Sequence, residues 1–282
     1  MPVTIEALPE FFQRSDKYAI TWESRYLLGE RVQLIALILA TAVASVGSAP
    51  AVTIIFFAIA LMAQLFRLTT KADERWWNGR AGAESAKRAG WLFMVGGAPF
   101  GVQNNTAESE FAHRLATIAE KVADLAPVPA SSSHVTAPME ALRHEPLRVR
   151  VETYRVDRIK DQQKWYADKS EDNAKWAMGW ALAGIASTAL ALIVGILCAI
   201  NDWSFDAVGV FSALTASIAA WLGLKQHQIL ARSYAVASNE LGLIEARIND
   251  TDWHEPAWEA FVNEAEEAIS REHTSWRASR AL

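Results

Sequence analysis

The sequence of 282 residues has one cysteine, Cys198, set inside an apolar run. A single thiol builds neither a disulfide framework nor a thiolate metal cluster. Cys198 reads as a small buried hydrophobe. A basic surplus is missing too: 27 Lys and Arg face 32 Asp and Glu, a net charge of −5. No global positive field points to nucleic acid, and none is expected as a partner. The residues up to Glu30 carry charges of both signs and no short apolar core, so they do not read as a secretory leader. Catalytic signatures are equally scarce. His144-Glu145-Pro146 and His254-Glu255-Pro256 lack the second histidine of a zinc motif and read as helix entrances. Glu272 and His273 are adjacent on a helix and point apart. "GGAPFG" lacks the strand-loop-helix setting of a phosphate loop. The chain is therefore expected not to be an enzyme and to carry no cofactor and no metal. Were it one, Glu84, Glu240 and Glu272 would be its candidate carboxylates.

Charge is nearly absent from two long blocks, and there the sequence becomes informative. "VQLIALILATAVASVGSAPAVTIIFFAIALMAQLF" covers 32–66, with "GSAP" as a turn at its centre. "AMGWALAGIASTALALIVGILCAI" begins a second block, the turn "NDWSFD" follows, and "AVGVFSALTASIAAWLGL" returns. Each piece is near the length that crosses a bilayer as a helix. The expected fold is an all-α integral membrane protein with four transmembrane helices in two hairpins, spans at 32–48, 51–66, 177–200 and 207–224. A cytoplasmic helical bundle should accompany them. Both turns lack Lys and Arg, while Arg31, Arg67, Lys71, Lys175, Lys225 and Arg232 flank the opposite ends. The charge bias places both termini and the central segment in the cytoplasm. "RWWNGRAGAESAKRAGWLFMVGGAPFGV", 75–102, is then a cytoplasmic helix over 70–96, because its apolar tail is too short to cross.

Small residues recur at steps of four along the spans. They are Ala36, Ala40 and Ala44 in the first, Gly179, Ala183, Ser187, Ala191 and Gly195 in the third, and Gly209, Ala213 and Ser217 in the fourth. Such stripes let helix backbones approach, within one chain or between subunits of a homo-oligomer. No Asp, Glu, Lys, Arg or His falls inside a span. That argues against a pump or coupled carrier. It leaves open a pore lined by hydroxyls, with Thr41, Ser45, Ser212 and Thr215 as candidates.

Outside the spans, "NTAESEFAHRLATIAEKVADL" suggests an N-cap at Asn105 with Glu108, then a seam of Phe111, Leu115, Ile118 and Val122. A second seam runs Leu230, Tyr234, Leu241 and Ile244. "APVPASSSHVTAPMEALRHEP", 126–146, reads as a linker of poor order between a first unit over 1–125 and a second over 147–282.

The stretch "RWWNGRAGAESAKRAGWLFMVGGAPF" resembles the segment after the hairpin in one type of SLATT domain. "YRVDRIKDQQKWYADKSEDNAKW", the hairpin over 177–224, and "AVASNELGLIEARI…FVNEAEEAISREHTSW" resemble a second type. The residues that carry the likeness are Arg75, Trp76, Arg80, Glu84, Lys87 and Trp91, then Trp165, Glu240, Glu272 and Trp276. The resemblance implies a tandem pair of two-transmembrane effector domains of the kind found with bacterial nucleotide-signalling and defence systems. It implies a multi-pass protein of the bacterial inner membrane that oligomerises, with a pore as one outcome and a partner protein supplying the trigger. A membrane-anchored scaffold without conduction is the alternative.

Overall fold

The structure is a computed structural model that describes residues 3–47, 49–122, 134–203 and 205–278, with side chains to 270. It is helical, and no strand occurs among the described residues. After a short 3-10 turn the helices are α1 (Glu10–Val46), α2 (Pro50–Thr70), α3 (Ala72–Val95), α4 (Ala107–Lys121), α5 (Ala137–Arg143) and α6 (Leu147–Thr153). A π-helical stretch (Tyr154–Lys160) leads into α7 (Asp161–Asn201), followed by α8 (Ala207–Lys225), α9 (His227–Asp250) and α10 (Glu255–Ala278). Four of these helical runs are long and apolar enough to cross a membrane, and they hold the four expected spans. The chain is a multi-pass membrane protein.

Local chemistry sets the breaks. Gly47 takes φ +67°, open to a residue without Cβ, and Pro50 starts α2 at a position where its missing N–H costs nothing. Lys71 and Gln226 adopt left-handed conformations, and each donates its N–H back into the helix just ended. The Asp206 carboxylate accepts from the N–H of Gly209 and caps α8.

The chain packs as two compact units. One comprises Met1–Thr21, Glu74–Asp168 and Ser233–Leu282; the other comprises Trp22–Asp73 and Lys169–Arg232. We call them the core unit and the span unit. Each draws on both halves of the sequence. In the core unit, Trp91, Leu92, Phe93, Met94 and Val95 are all buried, together with Phe100, Phe111, Tyr154, Trp258, Phe261 and Val262. The apolar tail of the 75–102 stretch is thus interior packing.

Three expectations need correction. Part of the 126–146 linker is ordered. Residues 126–133 lie outside the described region, but Ala137–Arg143 is a helix with Met139 and Leu142 in the core. The Thr136 side chain accepts from the N–H of Met139 and donates to the carbonyl of Ala7, and Pro138 sits in the first turn. That is cap chemistry hidden in a Pro-rich composition. Helix α4 starts after Thr106, not Asn105. Asn104 Oδ1 accepts from the N–H and hydroxyl of Thr106, and Glu110, not Glu108, accepts from Thr106 and Asn104. The α9 seam is divided: Leu230 belongs to the span unit, while Tyr234, Leu241 and Ile244 belong to the core unit.

Candidate functional site

In the core unit the residues that most need an explanation are buried and charged. Arg150, Tyr154 and Arg158 follow one another at steps of four and are 2%, 0% and 3% exposed. Opposite them α10 carries Glu266, 0% exposed, within an apolar stripe of Val262, Ala265 and Ile269. Arg158 donates Nε to Glu266 Oε1 at 2.8 Å and Nη2 to Oε2 at 2.7 Å. This planar fork is the strongest pairing geometry that a carboxylate can accept. The Tyr154 hydroxyl adds a third donor, 3.1 Å from Glu266 Oε1.

The electrostatics follow from burial. Burial opposes the Arg158 charge, and the Glu266 carboxylate more than offsets it, so Arg158 is held above the ordinary guanidinium value. Burial and then the same carboxylate push Tyr154 well above the usual phenol range. Lys87 on α3 moves the other way. Burial and the positive charge of Arg158 lower it, and its Nζ lies 3.3 Å from Gln162 Oε1. Arg80 pairs with Glu84 at 2.8 Å and stands 3.8 Å from Asp16. Burial works against its charge, and Glu84 and then Asp16 carry it above its ordinary value.

The second task of this cluster is to finish α3. The last carbonyls of a helix have no partner within it. Arg150 Nη1 and Trp258 Nε1 both donate to Val95 O, at 2.8 and 2.9 Å. Arg143 donates to Phe93 O at 2.8 Å, and also to Phe100 O and Gly101 O. Two guanidiniums thus sit where the helix dipole favours positive charge. Glu255 pairs with Arg150. Gly96, at φ +76°, would set a Cβ 2.8 Å from Arg150 Nη1, so glycine is required there.

The span unit is built on different chemistry. In the hairpin of α7 and α8, Ser187 Oγ lies 2.9 Å from Thr215 Oγ1. Added Cβ atoms would meet Ile218 at Gly184 and Val208 at Gly195. The glycines and Ser187 therefore mark the line of close approach. In the first hairpin Ala36, Ala40 and Ala60 are buried, and Arg67 pairs with Glu30 just beyond the expected spans and with Gln33 at the start of the first. Trp221 is buried beneath two cations, Arg31 and Lys225, 5.3 and 5.9 Å from its ring centre. Outward lie Ile54, Ile185, Leu192 and Ile200, each about two thirds exposed or more.

The residues singled out from sequence are placed as follows. Ala183, Ala191, Gly209, Ala213 and Ser217 are partly buried on the α7 and α8 faces, while Ala44, Gly179 and Ser212 are exposed. Gly179 has open space around it. Thr41 and Ser45 bond carbonyls of their own helix, and Thr215 bonds Ser187. Phe111, Leu115, Ile118, Val122 and Leu241 are buried; Tyr234 and Ile244 pack against that cluster. Trp91 lies edge-on to Tyr154 at 5.9 Å, and Trp165 contacts Tyr166 and Tyr234. Trp76 stacks on Trp77, and Arg75 also has an interaction partner. Glu240 is exposed. Glu272 and Trp276 lie outside the residues whose side chains are described.

Lys87 thus acts electrostatically with Arg158 and Glu266, and Glu84 with Arg158, while Arg80 acts with Glu84 and Asp16. Sequence reading missed the pair itself. The steps of four in "LRVRVETYRVDR" and one glutamate inside an apolar helix face were the available signals.

Residues 9–151 match SMODS and SLOG-associating 2TM effector domain 3, and residues 154–276 match SMODS and SLOG-associating 2TM effector domain 1. No curated protein and no solved structure matches the chain.

Proposed function

Because the chain belongs to the SLATT family, with two of its 2TM effector domains in tandem, we propose that it is an oligomeric effector of the bacterial inner membrane that opens a pore. Membership alone makes it a membrane effector of a defence system. The oligomer and the pore are our reading. One observation carries it: the third span's small-residue stripe leaves the α7–α8 contact. A step of four advances 400° on an ideal helix, so the stripe drifts by about 40° at each step. Gly195, Ser187 and Gly184 abut α8, but Gly179 has open space and Ser212 faces outward from α8. Small residues on a lipid-facing surface suit close approach by another copy. A single chain offers no conduit, since its span hydroxyls at Thr41, Ser45, Ser187 and Thr215 are bonded internally. Conduction would then form on an axis between copies.

In this reading the core unit and both termini face the cytoplasm, following the Lys and Arg bias. The chain turns over no substrate and takes its trigger from a nucleotide-sensing or defence partner protein. The deciding experiment measures mass in nanodiscs and then ion flux in liposomes. A ring-sized oligomer with protein-dependent flux is expected. A monomer or dimer with background flux would replace the pore with a non-conducting scaffold that binds partners through its helices.

A further inference from the structure

The core unit contains a groove of about 680 Å³ between α3 and α4, with Asn263 of α10 at one side. That volume is within the ~300–1,000 Å³ typical of small-molecule sites. Its walls differ in chemistry. Pro99 is the exposed apolar residue of one wall, backed by the buried Leu92 and Phe100. The other wall is rich in donors. Arg88 lines it from α3 and Arg114 from α4.

Neither guanidinium has an ion pair among the described residues, and Arg88 Nε is buried without a hydrogen-bond partner. Ser85, Ser109 and Asn263 stand on the same lining with no side-chain hydrogen bond among the described residues. The one acid on the lining is Glu110. Its oxygens already accept from Thr106 Oγ1 at 2.7 Å and Asn104 Nδ2 at 3.2 Å. The groove is therefore cationic and supplied with donors at one wall and apolar at the other.

We infer that this groove binds a small organic phosphate, with its dianionic head at Arg88 and Arg114 and an apolar body against Pro99. Guanidinium forks match oxyanion geometry. The three terminal oxygens of a phosphate monoester use more of the hydroxyl and amide donors than the two of a carboxylate can. The inference is independent of whether the spans conduct.

The test is calorimetric titration of the full chain, in non-ionic detergent free of lipid phosphate, with phenyl phosphate. Saturable binding is expected, with inorganic phosphate, benzoate and phenol each weaker by about tenfold or more. Arg114 is exposed on α4, so Arg114→Gln leaves the fold intact and should weaken phenyl phosphate by about tenfold, with Arg114→Lys recovering part of the loss. Arg14→Gln, in an exposed pair with Glu10 on α1, should change nothing. The inference fails if no saturable heat appears up to ~10 mM ligand, if phenol or benzoate binds as well as phenyl phosphate, or if Arg114→Gln binds like the parent.

Discussion

The core unit hides charge, and the span unit displays hydrocarbon. In the first, Arg150, Arg158 and Glu266 are nearly inaccessible, and paired guanidiniums complete a helix end. In the second, Leu192 and Ile200 stand outward while the hydroxyls of Ser187 and Thr215 meet and that of Thr41 turns back onto its own helix. The same residue classes are sorted oppositely because the surroundings differ. Water rewards exposed charge, so a buried ion must find every partner inside the protein. Lipid is as apolar as leucine, so the span helices are held by small residues and short polar contacts instead.

The strongest way to break this contrast is to orphan a buried ion. Glu266→Ala leaves Arg158 charged and unpartnered, and should cost about 3–5 kcal/mol in thermal unfolding of the full chain followed by near-ultraviolet circular dichroism. Replacing both, as Arg158→Leu with Glu266→Leu, should recover most of that loss. A cost for Glu266→Ala below ~1 kcal/mol would mean that water reaches the pair, and that the core unit is not closed there.

A second comparison uses two leucines of similar exposure. Leu192 in the span unit is 66% exposed and Leu243 in the core unit 73%. Leu192→Lys should oppose insertion of the third span by about 2.5–3.5 kcal/mol, read by glycosylation mapping in membranes. Leu243→Lys should alter unfolding by about 0.5 kcal/mol or less. Equal costs at the two positions would mean that both surfaces face the same solvent. The smallest effect belongs to the hydroxyl pair. Ser187→Ala should weaken packing of the α7–α8 hairpin by about 0.6 kcal/mol, measured by unfolding in detergent, because Thr215 has a helix carbonyl to fall back on. A loss several times larger would indicate a polar network extending beyond that hairpin.

The spans were legible because length and absence of charge are one-dimensional signals, as the break at "GSAP" and the return after "NDWSFD" illustrate. The partner of Arg158 was not legible. It lies 108 residues away, and although Glu266 falls on the apolar face of its helix and Glu267 does not, nothing local says which cation meets it. Helix α5 was obscured for a different reason. Ala137 and Pro138 raise the proline and small-residue content that marks linkers, although Thr136 and Pro138 are also good helix starters. The α9 seam misled because periodicity reports a buried face without saying what buries it. Leu230 and Leu241 share a stripe and belong to different units.

The 108 residues between Arg158 and Glu266 also set a timetable for biosynthesis. When the π-helical stretch leaves the ribosome, neither α8 nor α10 has been made. Two spans must still be translated and delivered to the bilayer before the carboxylate appears. At a synthesis rate of roughly 5–20 residues per second, Arg158 waits about 5–20 s for its partner. Membrane insertion therefore precedes closure of the core, and a ribosome stalled between α8 and α10 would hold a chain with all four spans made and its core unit unfinished.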